Sequence, residues 1–109
     1  MIAKILVSEN QPRFKYLTID GMVSGTGIRD DKEYIDPESL RLSSKLVKRL
    51  KVWHESYQTE FYKGYENESL TRCLDREGIE ISKAVTKEYK ECKVEYLSDS
   101  TFKKTLVSR

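Results

Sequence analysis

A chain of 109 residues suits one domain and no more, and at that size it can bury roughly two thirds of its unfolded surface without a disulfide or metal staple. Charged residues at 35% and apolar ones at 38% leave too many hydrophobes for a disordered chain, while a net charge of +2 falls short of a dedicated nucleic-acid binder. Met1–Val7 is a short apolar run that meets a charge at Glu9, too brief for an export signal, and no stretch approaches a membrane span, so a reduced, cytoplasmic protein without a membrane partner is expected.

In chain order, Ala3–Ser8 carries Ile5, Leu6 and Val7 and reads as a first strand. Asn10-Gln11-Pro12 breaks it. Phe14–Ile19 alternates and is rich in aromatic and β-branched residues, which predicts a second strand, in an antiparallel hairpin with the first. Gly21, Gly25 and Gly27 mark a loop. Asp36-Pro37-Glu38 is a helix-start signal worth about one turn, since Leu42-Ser43 restarts the pattern. From Ser43 onward Leu46, Leu50, Trp53, Tyr57 and Phe61 recur at helical spacing, a single stripe that Gly64 would end.

A polar loop over Tyr65–Thr71 leads to a second helix, starting at Thr71 or Asp75 and ending near Lys90. Its inner stripe is Leu74, Gly78, Ile81 and Val85, with Tyr89 beside the end. Gly78 sacrifices about 1 kcal/mol of helix propensity against Ala, so close packing is expected there. Lys93–Leu97 alternates as a further strand, and Phe102–Val107 forms either a fourth strand or a docked tail. These elements predict a single-domain α+β fold over residues 1–109. Three to four strands, antiparallel or mixed, would pack on two main helices in the order β-β-α-α-β.

Charge is sorted along the chain. Asp30, Asp31, Glu33, Asp36 and Glu38 stand against Lys32 alone, a local charge of −4 over residues 30–40. Arg41, Lys45, Lys48, Arg49 and Lys51 then give +5 over 41–54, and Glu55, Glu60, Glu66 and Glu68 against Lys63 return it to −3 over 55–70. Cations at the start of the first helix oppose its dipole. Either the acidic segment folds back onto the basic turn, or one of the patches meets a partner.

Chemistry is sparse. His54 is the only histidine, and with Cys73 and Cys92 far from it in sequence the supply of zinc ligands is thin. Gly25-Thr26-Gly27 begins like a dinucleotide loop, but the third glycine position is Asp30, and no Lys-Ser/Thr pair follows. Asp30, Lys32 and Asp36 lack the spacing of a calcium hand. No catalytic residue, cofactor or metal is expected, which leaves a binding role. Nucleic-acid binding by the basic face of the first helix, with Trp53 nearby, is the alternative; Trp53 and Tyr57 on the buried stripe weigh against it.

Three stretches together carry a resemblance. Ser24–Asp31 leads through Tyr34–Leu40 into an L-S-x-x-L opening at Leu42, Ser43 and Leu46, followed by Trp53 and Tyr57 in a Trp-x-x-x-Tyr pair. A D-x-E-G helix at Asp75, Glu77 and Gly78 then precedes the Lys93–Leu97 strand and an acid. Over roughly residues 20–99 the chain resembles small bacterial immunity proteins encoded beside polymorphic toxins, including those of contact-dependent growth inhibition (CdiI-like). It departs from that pattern in being mildly basic and in extending through Ser100–Arg109.

The resemblance implies a cytoplasmic protein that binds and blocks a cognate toxin domain, often a nuclease; the chain is expected to be a monomer, or a weak homodimer if its C-terminal segment pairs at a sheet edge. Trp53 and Tyr57 would then be core. The contacts would fall on two acidic, tyrosine-bearing loops, one with Asp30, Asp31, Glu33, Tyr34, Asp36 and Glu38, the other with Tyr62, Tyr65, Glu66 and Glu68.

Overall fold

The computed structural model describes residues 14–107. The predicted strand Ala3–Ser8, and the hairpin it would make, lie outside them. Strand β1 spans Tyr16–Asp20, and a two-residue strand β2, Ile28–Arg29, follows inside the glycine loop. Asp36 caps a 3-10 turn at Pro37–Leu40, its carboxylate accepting from the Glu38 amide at 3.0 Å. Helix α1 is Ser44–Tyr62, helix α2 is Glu68–Glu88, and strands β3 (Lys93–Leu97) and β4 (Lys104–Val107) close the chain.

The sheet order is β2-β1-β3-β4. Strands β1 and β3 pair in parallel from Tyr16↔Lys93 to Asp20↔Leu97, while β2 and β4 are antiparallel to their neighbours. A parallel pair needs a long crossover, and the two helices are that crossover. The predicted α+β class and two main helices are the ones observed, and of the antiparallel and mixed alternatives the sheet is the mixed one, with its second edge made by β4.

One sheet face presents Leu17, Ile19, Val94, Tyr96 and Val107 to the helices, all buried. Tyr96 meets both helices at once: its ring sits 6.0 Å from Trp53 of α1, edge-on, and covers Gly78 of α2. The α1 stripe keeps Leu46, Leu50, Trp53 and Tyr57 inside, but its next member is Glu60, 3% exposed, and not Phe61, which is 40% exposed. The spacing decides this: three residues on from Tyr57 turn a helix by about 300°, four by about 400°, and the core lies on the former side here.

Helix α2 begins earlier than predicted because Asn67 caps it, accepting from the Leu70 amide at 3.0 Å. Gly64, at φ +72°, supplies the left-handed turn after α1. The misplaced cations of α1 are offset by carboxylates from elsewhere. Lys51 reaches Glu38 of the acidic segment at 2.8 Å, Arg49 makes a two-pronged bond to Glu77, and Glu88 accepts from both the amide and the hydroxyl of the cap residue Ser43. The acidic segment does fold back, in part, onto the basic turn.

The close packing expected at Gly78 is present. A Cβ there would overlap the Tyr96 ring and lie 2.9 Å from Trp53 Cζ2. Gly78→Ala should therefore destabilise by about 1–3 kcal/mol, although helix propensity alone would add about 1 kcal/mol of stability. Urea denaturation reads the sign directly: a stabilised variant would mean that the Tyr96 ring is free to move aside.

Candidate partner-binding site

The carboxyl ends of β1 and β3 share one edge of the molecule, and three carboxylates collect there among tyrosines. Asp75, about two turns into α2, accepts from Tyr57 Oη at 2.8 Å and Tyr96 Oη at 2.6 Å on one oxygen, and from Ser98 Oγ at 2.9 Å on the other. Asp20, at the end of β1 and 2% exposed, takes the Tyr34 hydroxyl on both oxygens at 2.8 and 2.9 Å and the Arg29 guanidinium at 2.9 Å. Asp99, just past β3, accepts the Tyr65 hydroxyl at 2.8 Å.

Each phenol is pushed above its ordinary range, first by burial and then by the carboxylate it faces: Asp20 for Tyr34, Asp99 for Tyr65, Asp75 for Tyr96. The charge of Asp99 also raises Tyr34, after burial and the charge of Asp20. In the unfolded chain these phenols ionise near 10.0. Folding raises that value, so the folded protein holds the protons more tightly, and stability is full below pH 10 and falls as the pH climbs beyond it. Ultraviolet titration of tyrosinate should show these groups ionising late and together with alkaline unfolding. Seven tyrosines titrating uniformly near pH 10 in a still-folded protein would contradict this arrangement.

The predicted contact residues fall into three groups. Tyr34 and Tyr65 are half-buried and turn their hydroxyls inward; the Tyr34 ring lies on Gly25, where a Cβ would collide with it, and Tyr65 stands edge-on to Tyr57 at 5.9 Å. Asp31, Glu33, Glu66 and Tyr62 are exposed, Tyr62 by 75%. Asp30 closes the turn by accepting from the amides of Glu33 and Lys32, which hold its carboxyl below the usual range. Asp36 is occupied as a cap, Glu38 by Lys51, and Glu68 by a loose 3.8 Å pair with Arg72. The sequence reading left out the three organising carboxylates, Asp20, Asp75 and Asp99, and the exposed Phe102.

Nothing in these groups resembles a nucleophile with its base. His54 is buried, with Nε2 2.8 Å from the Met22 carbonyl and Nδ1 2.8 Å from the Gln58 amide nitrogen, so both ring nitrogens are occupied, the first as donor and the second as acceptor. Burial pushes the Cys92 thiol up to about 11, away from the reactive thiolate. Trp53 is 3% exposed and donates its indole N–H to the Leu74 carbonyl at 2.8 Å, which removes it from the basic face of α1. Among the described residues, no group of three or more His, Cys, Asp or Glu side chains is placed to hold a metal, and no helix is long and apolar enough to cross a membrane.

Two helices over a small mixed sheet make this a small α+β domain. A family model described as Serratia CdiI immunity protein-like matches residues 23–99, and the chain belongs to that family. Comparison with curated proteins and with solved structures gave no match. The residues that carried the resemblance now have physical roles. Ser43 caps α1; Trp53 stands edge-on to both Tyr57 and Tyr96; Asp75 gathers three hydroxyls; Gly78 makes room for two rings.

Proposed function

We propose that this chain is a cytoplasmic immunity protein that binds and neutralises a cognate bacterial toxin domain by protein–protein contact, without catalysis. The observation that supports the reading is the family match over residues 23–99. The inward placement of Trp53, Tyr57, Asp75 and Gly78 agrees with it: the shared residues hold the fold, and the loops remain to meet a particular toxin. The two acidic loops, Asp30, Asp31, Glu33, Tyr34, Asp36 and Glu38 with Tyr62, Tyr65, Glu66 and Glu68, form or flank the interface. Tyr34 and Tyr65 shape the loops, and the exposed members make the contacts. A nuclease must gather cations around phosphate, and acids presented by a small protein suit such an active site.

The test is co-expression. The C-terminal toxin domain encoded immediately upstream should stop growth alone and cease to do so when this protein is present, with the two co-purifying. Killing that is undiminished by co-expression would end the immunity reading. Within it, Asp31→Lys with Glu33→Lys should weaken toxin binding by about tenfold or more, at an unchanged thermal midpoint. Asp30 is left intact because its carboxylate closes the turn. Binding equal to wild type would take that loop out of the interface.

A further inference from the structure

The loop between β3 and β4 contains a residue that folding does not explain. Phe102 sits at φ +61°, a left-handed backbone that disfavours bulky side chains and that glycine adopts freely. Its ring is 75% exposed. The turn does not depend on that ring: the Phe102 amide bonds the Ser98 carbonyl at 2.7 Å, the Ser98 amide bonds the Lys103 carbonyl at 3.0 Å, and Ser98 Oγ accepts from the Thr101 amide at 3.2 Å. A glycine would serve the backbone better and would spare water the apolar surface. Tyr65, across the loop, is the other aromatic residue in this left-handed conformation, at φ +57°.

Beside Tyr65 lies an open pocket of ≈ 320 Å³, lined by Tyr65, Glu68, Arg72, Asp75, Ser100 and Thr101 among others, the last of these next to Phe102 in the chain. Beyond Tyr65 the aromatic surface continues: Phe61 stacks edge-on to Tyr65 at 6.1 Å and to Tyr62 at 5.3 Å, and Tyr62 is 75% exposed. The lining carries two carboxylates, Glu68 and Asp75, against one guanidinium, and Glu66 and Asp99 adjoin the lining residues in the chain or by hydrogen bond. Asp75 has three of its roughly four acceptor positions filled, which leaves one on the oxygen bonded to Ser98.

We infer that Phe102 and Tyr62 are the apolar anchors of the toxin-binding surface, and that the acidic pocket beside Tyr65 receives a basic side chain of the toxin domain. This rests on the immunity reading and extends its second acidic loop, which holds Tyr62, Tyr65 and Glu68, onto the β3–β4 turn, which neither loop includes. Apolar anchors around a desolvated charge are the usual composition of a binding hot spot. The net negative lining selects a cationic rather than an anionic group.

Phe102→Gly separates this role from a structural one. It should leave the thermal midpoint equal or higher, because the backbone strain is relieved, while weakening binding to an inactivated upstream toxin domain by about tenfold or more in calorimetry. Tyr62→Ala should weaken it comparably at an unchanged midpoint. Val52→Ala, which trims an exposed residue beside Lys48 and Arg49, is the control and should bind as wild type does. Wild-type affinity should fall with added salt. If the wild type binds and both Phe102→Gly and Tyr62→Ala bind equally well, or if Phe102→Gly lowers the midpoint, the surface is wrong and the immunity reading survives. If the wild type does not bind, both fall.

Discussion

Trp53→Ala should cost about 3–5 kcal/mol of stability. The side chain is 3% exposed and stands edge-on to Tyr57 at 5.5 Å and to Tyr96 at 6.0 Å, so its loss opens a cavity between α1, α2 and the sheet at once. The indole bond to the Leu74 carbonyl, the one polar link from this ring to α2, goes with it. The neighbours cannot close the gap by sliding, because the Tyr57 and Tyr96 hydroxyls are both tied to Asp75. Urea denaturation at constant m value measures the loss. A cost below about 1 kcal/mol would mean that the core collapses around the space, as relaxing cavities do. Trp53→Phe keeps part of the volume and loses the hydrogen bond, so it should fall between wild type and Ala.

What could be read in the sequence was whatever local periodicity determines. The stripes Leu46, Leu50, Trp53, Tyr57 and Leu74, Gly78, Ile81, Val85 follow from side-chain spacing alone, and all are buried. So does β3, whose predicted span is the observed one. Where a single hydrogen bond sets a boundary, periodicity failed: α2 starts at Glu68 because Asn67 caps it, although its first turns expose nearly everything to water. Strand β2 was hidden because two residues, Ile28 and Arg29, are too few to show alternation.

The site was less legible, for a different reason. Tyr34 and Tyr65 were singled out as tyrosines beside acids in sequence. Their actual partners, Asp20 and Asp99, are 14 and 34 residues away in the chain; the β1–β2 pairing and the Arg29↔Tyr34 bridge bring in the first, and the second arrives only when the end of β3 meets the loop between the helices. Neighbouring acids say nothing about that pairing. Phe102 gave no signal at all, since its oddity is a backbone angle.

Asp75→Ala should rival the tryptophan, at about 3–5 kcal/mol, since each buried hydroxyl left without its acceptor costs about 1–3 kcal/mol and three lose it together. Tyr57 and Tyr96 are 0% and 1% exposed, so only water entering through the pocket that Asp75 lines could stand in for the carboxylate. Asp75→Asn tests whether charge or geometry matters. Its amide oxygen can still accept from both phenols, while its NH₂ can donate to Ser98 Oγ, which then turns its own proton toward Ser100 Oγ at 3.2 Å. Asn should therefore recover more than half of the loss; if it is as damaging as Ala, the ionised form is itself required. The double variant with Trp53→Ala should cost less than the sum of the two, because both act through the Tyr57 and Tyr96 rings. Additive losses would show that the indole and the carboxylate support the fold separately. Coupled losses would mean that the family's Trp-x-x-x-Tyr pair and its D-x-E-G helix are two halves of one buried unit.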